Sequence, residues 1–479
     1  MSYKQFTKDV GLIGLTNLLM SLSGIILLPI LTKTLGAHDY GVWAIIGVTI
    51  SLITPFVTLS LTSSMTRYLA GEKNKEEIQE GIFTIFFAVL LNGLIVSLVL
   101  YMLSDYFALT FSNDLSVSPL FKIASFIVFV YALNLTVMSF FRTYRQINKY
   151  CTLTILQSFG ELGLIAYFVL SGFGLFGVLI SLLIARTTFL FISLFIVIFQ
   201  IGFRLPKFSN LKAYLSFGLP LIPFGLFSWI INSGDRYVIG YFMDPASIGI
   251  YSVAYTLGNI IFMFAVPIGF NLYPTISKLW EEEKTDDVKI YLKYSVKYFL
   301  MLAIPSVLGL YILSKQILTS LTTPEFVSSS ASIIILLVAL GSVFYGVYSI
   351  LVYIIMLAKK TKIIGILVGI SAMVNMALNI IFVPIIGIVG AAIATLIAFC
   401  ALTIVTVFIS FKYLRFEIDW IPIGKSIASA GLMGLILWWI NPVGIVNILG
   451  SVGIGGTIYF GAFMLLGGIK MSEIRSLFK

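Results

Sequence analysis

The chain has 479 residues, of which 59% are hydrophobic and 10% charged, and its formal net charge is +10. Its mean hydropathy is +1.06. A soluble domain has about 45–50% apolar and about 25% charged residues, so a chain of this composition cannot hide its apolar surface in one water-exposed fold. The composition excludes a soluble globular protein and indicates a polytopic membrane protein.

Apolar segments follow one another along the whole chain, each close to the roughly 20 residues that a helix needs to cross a hydrocarbon layer about 30 Å thick. The apolar runs are continuous, whereas the strands of an outer-membrane barrel alternate with period two over about ten residues. We therefore predict an all-α fold with about fourteen transmembrane helices. The predicted spans are 10–31, 42–64, 82–103, 121–141, 152–171, 174–200, 215–241, 247–272, 291–313, 331–357, 363–384, 388–411, 420–440 and 444–466.

Most of the 30 lysines and arginines fall into small groups beside alternate ends of the predicted spans. Because basic residues are retained on the cytoplasmic side, this distribution predicts a cytoplasmic (inner) membrane protein with both termini in the cytoplasm. Such groups are also typical of contact with anionic lipid head groups. A nucleic-acid-binding surface would gather its basic residues in one stripe, so we expect no nucleic acid partner.

The two halves of the chain share a weak repeat at offsets of 208 to 213 residues. The matching pairs are Gly41 with Gly249, Pro55 with Pro267, and Gly174 with Gly387. Six predicted spans separate the members of each pair, and an even number of spans preserves orientation, so the repeats are parallel. We therefore predict an N-lobe at 1–213, a C-lobe at 214–412 and two additional helices at 413–479.

Four stretches of sequence carry a resemblance to a known family. They are PILTKTLGAHDYGVW at 29–43, DRYVIGYFMDPASIGIY at 235–251, YPTISK at 273–278 and NIIFVPIIGIVGAA at 379–392. The chain resembles the polysaccharide-exporter (oligosaccharide flippase) family of the multidrug/oligosaccharidyl-lipid/polysaccharide (MOP) superfamily. The resemblance implies a MATE-like fold of two lobes. It also implies alternating access that moves an oligosaccharide on a polyprenyl (di)phosphate to the outer leaflet.

Glu161 and Arg186 are ionisable residues inside consecutive, antiparallel predicted spans. At 1.5 Å per residue, Glu161 lies about 14 Å from one membrane surface and Arg186 about 18 Å from the other, so the two can meet near the middle of the layer. An intramembrane charge costs at least about 2.5 to 3.5 kcal/mol and usually pairs or lines a cavity. Two interpretations stay open, a structural ion pair and the wall of a substrate cavity.

Asp235 and Arg236 form a second charged pair inside a predicted span. Adjacent residues lie about 100° apart around a helix and do not face each other, so each is expected to find another partner or water. We predict that both lie at the central cavity, where Arg236 binds diphosphate oxygens with its planar guanidinium. A helix-packing or lipid-interface pair is the alternative.

Arg67, Arg142 and Arg145 lie at the predicted cytoplasmic ends of spans. Marking the topology is the ordinary role of such residues. The functional alternative is that they gather an incoming diphosphate at the cytoplasmic opening.

The sequence holds no phosphate-binding glycine-rich loop with lysine, no metal-ligand spacing and no nucleophile elbow. We therefore expect no cofactor and no metal site, and a gradient of H+ or Na+ as the driving force. The expected partners are a lipid-linked oligosaccharide and membrane lipids. A polysaccharide polymerase and glycosyltransferases are further candidate partners.

Three other functions remain as alternatives. A multidrug cation antiporter of the same superfamily would need acidic cavity residues, whereas the intramembrane set here has two acids and two arginines. A lipid II flippase has the same fourteen-helix fold. A membrane glycosyltransferase, polymerase or ligase would need a large outer loop, and the predicted loops are short, so we do not expect an enzyme.

Overall fold

The computed structural model describes residues 3–468, with side chains from residue 11 onward. Within this range all regular structure is helical, which confirms the predicted all-α fold. The predicted cytoplasmic position of the C-terminal Lys479, and of the basic residues Lys470 and Arg475, lies outside the described residues.

Contacts divide the described chain into two compact units. The first unit runs to Trp229 and also contains Met243–Gly249, and the second contains Ile230–Phe242 and the described residues from Ile250 onward. Two helices, α9 (Ile222–Phe242) and α10 (Pro245–Gly258), contribute residues to both units.

The other helices belong to one unit each, and polar side chains cap several of their N-termini. The Asn74 side chain accepts a hydrogen bond from the Glu76 backbone N–H at 3.0 Å, and Ser328 does the same for Ala331 at 3.0 Å, which satisfies N–H groups that a helix leaves unpaired. The helices of the first unit are α1 (Tyr3–Thr58), α2 (Leu61–Leu69), α3 (Lys75–Met102), α4 (Ser104–Ser112), α5 (Ser118–Thr143), α6 (Ile147–Phe168), α7 (Gly174–Ile201) and α8 (Leu211–Gly218). Those of the second are α11 (Ala265–Glu281), α12 (Thr285–Ile312), α13 (Ser314–Leu321), α14 (Ser329–Leu357), α15 (Thr361–Ile386), α16 (Ile388–Tyr413), α17 (Trp420–Ile440) and α18 (Ile445–Leu465).

Twelve helical segments of the described chain are long and apolar enough to cross a membrane. Two of them, Gly11–Thr58 with 48 residues and Ile147–Ile201 with 55, are more than twice the required length of about 20 residues. Each is interrupted near its middle by non-helical backbone, at Gly36 and at Gly172. The twelve segments include all fourteen predicted spans apart from a few end residues, but the number of crossings stays a prediction.

Large apolar side chains cover the outside of both units. Phe199 exposes 83% of its surface, Trp439 81% and Leu465 90%. Contiguous apolar surface on this scale would aggregate in water but is favourable against lipid tails. The chain is therefore a multi-span membrane protein.

The two units differ from the predicted lobes in two places. The hydroxyl of Ser64 in α2 donates to the carbonyl of Tyr214 in α8 at 2.8 Å, so the residues after the predicted boundary at 213 still pack in the first unit. The hydroxyl of Tyr459 in α18 donates to the Met301 carbonyl in α12 at 2.7 Å, so the two C-terminal helices pack within the second unit.

Two glycines that the repeat had paired meet in the first unit. A Cβ on Gly41 would lie 1.7 Å from the Pro245 carbonyl oxygen, and a Cβ on Gly249 would lie 2.2 Å from the Ala37 carbonyl oxygen. Only glycine permits backbone segments to approach this closely. The contact is reciprocal, because each glycine approaches the residue four positions before the other glycine. Both pairs of counterparts, Ala37 with Pro245 and Gly41 with Gly249, are 208 residues apart.

Candidate functional site

One face of α5 carries a row of residues, all but one of them polar or aromatic, at the three- and four-residue spacing that places side chains on one side of a helix. Tyr131, Asn134, Met138 and Arg142 form this row, and all four line a single pocket inside the first unit. Asn134 is 3% exposed and Met138 7%, whereas Arg142 in the last turn of α5 is exposed. The row therefore runs from among packed helices to the exposed end of α5.

A matching face of α6 forms the opposite wall of the pocket. It presents Tyr150, Thr154, Gln157 and Glu161, again three or four residues apart. Arg186 from α7 completes the polar lining. The pocket has a volume of about 240 Å³, is partly open, and is also lined by Met20 of α1. Three neighbouring helices, α5, α6 and α7, thus supply the polar lining of a small pocket within an apolar unit.

Glu161 and Arg186 meet in this pocket. The Nε atom of Arg186 donates to Oε1 of Glu161 at 3.1 Å, and the Gln157 amide donates to the same oxygen at 3.0 Å. The Arg186 side chain is 16% exposed and the Glu161 side chain 18%. The pairing that the helix depths predicted is therefore present, and it lies at a cavity, so the two interpretations of the pair are not exclusive.

An aromatic ring holds the guanidinium of Arg186 from its other side. The Cζ atom of Arg186 lies 4.3 Å from the ring centroid of Tyr131, within the range of a cation–π contact. The ion pair with Glu161 and the ring of Tyr131 thus fix the plane of the guanidinium in the pocket.

The three arginines predicted at the cytoplasmic opening have different surroundings. Arg142 lines the pocket, with its Cζ atom 6.0 Å from the Tyr150 ring centroid. Arg67 is exposed at the end of α2 and lies 4.8 Å from the Phe217 ring centroid. Arg145, at the turn between α5 and α6, has a left-handed backbone conformation with φ 53°. Of these three, Arg142 alone is a lining residue of the pocket described above.

The prediction that Asp235 and Arg236 do not face each other is wrong. Nη1 of Arg236 donates to Oδ1 of Asp235 at 2.7 Å and to the Asn232 carbonyl, one helical turn earlier, at 2.8 Å. The long arginine side chain folds back towards the preceding turn. Backbone spacing alone does not predict this contact, because it does not describe where a flexible side chain ends.

Two tyrosines of α10 complete the buried surroundings of this pair. The Tyr251 hydroxyl donates to the other oxygen of Asp235, and the Arg236 Cζ atom lies 4.0 Å from the Tyr255 ring centroid. Asp235 is 1% exposed and Arg236 7%. The pair lies within the second unit, and its role in substrate binding stays a prediction.

Uncharged members of the pocket in the first unit were missed by the sequence argument. Tyr131, Asn134 and Gln157 carry no charge, so a search for intramembrane charges passes over them. The available signal was the spacing of Asn134 and Gln157 relative to Arg142 and Glu161 on their own helices.

Comparison with known proteins places the chain in a family. Residues 6–280 match the family described as "Polysaccharide biosynthesis protein", and residues 220–381 match the family described as "MatE". The first match covers more than half of the chain.

Two curated relatives come from Haloferax volcanii. "Probable low-salt glycan biosynthesis flippase Agl15" is 22% identical over 234 residues, which is 48% of this chain and 49% of the relative. "Probable flippase AglR" is 30% identical over 253 residues, 50% of each protein. The chain thus aligns with about half the length of either relative.

A solved structure shares the fold over almost the entire chain. The lipid II flippase MurJ, in an inward closed conformation, superposes with a TM-score of 0.78 at 21% identity, covering 97% of this chain and 99% of that one. An inward-facing multidrug resistance MATE transporter of the MOP superfamily has a TM-score of 0.65 at 16% identity, with coverages of 82% and 93%. The MATE-like fold that the sequence resemblance implied is confirmed. The match over residues 6–280 shows that the chain belongs to the family described as "Polysaccharide biosynthesis protein".

Proposed function

We propose that the chain is a flippase that moves an oligosaccharide linked to a polyprenyl phosphate or diphosphate from the cytoplasmic to the outer leaflet. The observation that carries this proposal is the polar pocket between α5, α6 and α7, which offers charged and hydrogen-bonding groups inside a membrane-embedded unit. Intramembrane polar groups are costly and mark substrate pathways in transporters. Family membership and the names of the two relatives support the same function.

The size and charge of the pocket indicate which part of the substrate it holds. Its volume of about 240 Å³ is below the roughly 300–1,000 Å³ of sites that enclose a drug-sized ligand, so it accommodates one sugar ring or head group rather than a whole oligosaccharide. The lining holds two arginines, Arg142 and Arg186, and one glutamate, Glu161. The residual positive charge favours the anionic, phosphate-bearing end of the substrate.

The same charge balance disfavours a multidrug cation antiporter, because a cationic drug would meet two arginines in the pocket. A lipid II flippase remains an alternative, since lipid II is itself a lipid-linked saccharide with a diphosphate. The proposal includes alternating access of two lobes driven by H+ or Na+, a cytoplasmic membrane location and cytoplasmic termini. A polymerase and glycosyltransferases that extend and consume the glycan are the proposed partners.

Deletion of the gene in its own host tests the proposal. We expect lipid-linked oligosaccharide to accumulate on the cytoplasmic side and surface glycan to disappear, with both restored by the wild-type gene. Arg186→Ala at equal protein abundance should fail to restore them. Arg204→Ala should succeed, because Arg204 pairs with Glu76 on the exposed surface, outside the pocket. Normal surface glycan in the deletion strain would contradict the proposal.

A further inference from the structure

The turn between α1 and α2 interrupts a helical path at residues that do not normally end a helix. Leu59 and Ser60 both have a left-handed backbone, with φ of 50° and 49°, a conformation that residues with a side chain rarely adopt. The segment 56–69 contains no glycine and no proline, and the nearest proline, Pro55, lies inside α1. Contacts with other helices, rather than the local sequence, therefore maintain the break.

An asparagine of α3 takes the place of two helical hydrogen bonds at this break. In a continuous helix the carbonyls of Phe56 and Val57 would accept from backbone N–H groups four residues later. Here both carbonyls accept from Nδ2 of Asn92, at 2.8 and 2.9 Å. Because unpaired backbone carbonyls are unfavourable at membrane depth, Asn92 stabilises the broken form of the helix.

Helix α8 packs against the same turn. A Cβ on Gly218 would lie 2.5 Å from the Leu59 carbonyl oxygen, and the Ser64 hydroxyl in α2 donates to the Tyr214 carbonyl in α8. The chain continues from α8 into α9, which contributes residues to both units. A change of conformation at the turn would therefore displace the segment that leads out of the first unit.

The second repeat has a continuous helix at the corresponding place. Pro55 and Pro267 are 212 residues apart, and at this offset Ser60 corresponds to Leu272. Leu272 lies in the interior of α11, which is α-helical from Ala265 to Glu281. The same position of the repeat is thus broken in one half of the chain and continuous in the other.

We propose that the turn at Leu59 and Ser60 is a conformational hinge, which alternates during transport between the broken form and a continuous α1–α2 helix. The hydrogen bonds from Asn92 favour the broken form, and the left-handed backbone disfavours it. Opposing contributions of this kind keep two states close in free energy, as a switching element requires. The inference rests on the proposed function for its role in transport, but the two states are measurable without transport.

The first measurement is the distance between two spin labels, one on each side of the hinge, in the purified full chain in lipid nanodiscs. One label replaces Gly47 in α1, where an added Cβ meets no heavy atom within 4 Å, and the other replaces Ala70, which is exposed after α2. A continuous helix would separate the two positions by about 35 Å, at 1.5 Å per residue. The broken helix gives a shorter distance, and we expect both distances in the wild type.

Variants should shift the balance between these distances in opposite directions. Ser60→Gly makes the left-handed backbone favourable and weakens a continuous helix, and the Ser60 side chain caps no helix, so the shorter distance should gain about tenfold. Asn92→Leu keeps the size of the side chain but donates to neither carbonyl, so the longer distance should gain about tenfold. The double variant should return towards the wild-type balance. Ser63→Gly, at an exposed helical position of α2, controls for the introduction of a glycine.

Transport in proteoliposomes distinguishes a hinge from a static turn. Ser60→Gly and Asn92→Leu should each transport about fivefold more slowly at equal protein amount, because each variant holds the turn in one state. The double variant should recover most of the wild-type rate, and Ser63→Gly should transport like the wild type. A purely structural turn would lower stability in Asn92→Leu without this recovery.

Two results would overturn the inference. One is a single label distance that neither Ser60→Gly nor Asn92→Leu changes, and the other is wild-type transport by both variants when their distances have shifted. A fixed distance in a chain that transports lipid-linked saccharide would reject the hinge and leave the proposed function standing. Distances that shift as expected in a chain that transports no such saccharide would do the reverse.

Discussion

Gly174 and Gly387 lie 213 residues apart and adopt nearly the same backbone conformation, with φ/ψ of 54°/−144° and 66°/−151°. Each stands at the N-terminal end of a long helix, α7 or α16. Residues with a side chain rarely occupy this region, whereas glycine enters it freely. The sequence paired these glycines as members of a repeat, and their shared conformation supports that pairing.

We expect Gly174→Ala and Gly387→Ala each to destabilise the protein by about 1–3 kcal/mol, the cost of a residue held in a sparsely populated backbone region. No heavy atom lies within 4 Å of the added Cβ of Gly174, so backbone strain alone acts there. Melting temperature in detergent is the measurement. Gly163→Ala in α6 and Gly365→Ala in α15 are matched controls in open, helical positions. Equal melting temperatures for all four variants would show that the conformation is not required.

The buried pair of Asp235 and Arg236 is expected to stabilise the folded protein. Arg236→Ala leaves a buried carboxylate that keeps the hydrogen bond from the Tyr251 hydroxyl but loses its cationic partner. Breaking a buried pair typically costs about 3–5 kcal/mol. Arg236→Lys should destabilise the protein less, because it keeps the positive charge beside Asp235. It should still lose some stability, because lysine lacks the planar guanidinium that donates to the Asn232 carbonyl. The checks are protein abundance by blot and melting temperature.

A double variant separates the structural role of this pair from a role in substrate binding. Asp235→Asn with Arg236→Met removes both charges, so it should be more stable than Arg236→Ala alone. A different outcome, in which Arg236→Ala is as abundant and stable as wild type but does not transport, would support the predicted diphosphate contact instead.

The sequence predicted the charged part of the pocket and missed the rest for physical reasons. Helix rise alone brought Glu161 and Arg186 to the same depth, because depth depends on backbone geometry. Asn134 could not be singled out, since buried asparagines usually find partners and only the packed structure reveals that its Nδ2 has none. The pairing of Asp235 with Arg236 depends on how a flexible side chain folds back, which residue spacing does not encode.

Reporter fusions test the orientation predicted from the basic residues. A fusion in the Glu281 to Asp287 region, between α11 and α12, should report a cytoplasmic location, and so should one at Lys479. A fusion near Asn113, which follows α4, should report the outside. The measurement is paired alkaline phosphatase and fluorescent-protein activity. A C-terminus found outside would contradict the predicted fourteen spans.

The exchange of Glu161 and Arg186 separates packing from substrate binding. Either single alanine variant leaves one intramembrane charge without its partner, so both should lose stability. The exchange restores opposite charges and should recover much of that stability, but it places a carboxylate against the electron-rich face of Tyr131 and moves the guanidinium donor from α7 to α6. Recovered melting temperature without recovered transport is the expected result.

Transport of a labelled lipid-linked oligosaccharide in proteoliposomes tests the central claim most directly. The substrate is isolated from the native host, and its appearance in the opposite leaflet is read by an impermeant reagent that modifies the exposed glycan. Wild-type protein and Arg204→Ala should transport it, and Arg186→Ala, reconstituted at equal amount, should transport at least tenfold more slowly. If vesicles with folded wild-type protein transport no faster than empty vesicles, the proposed flippase function is contradicted. If Arg186→Ala transports as fast as wild type, the proposed role of the pocket in substrate binding is contradicted.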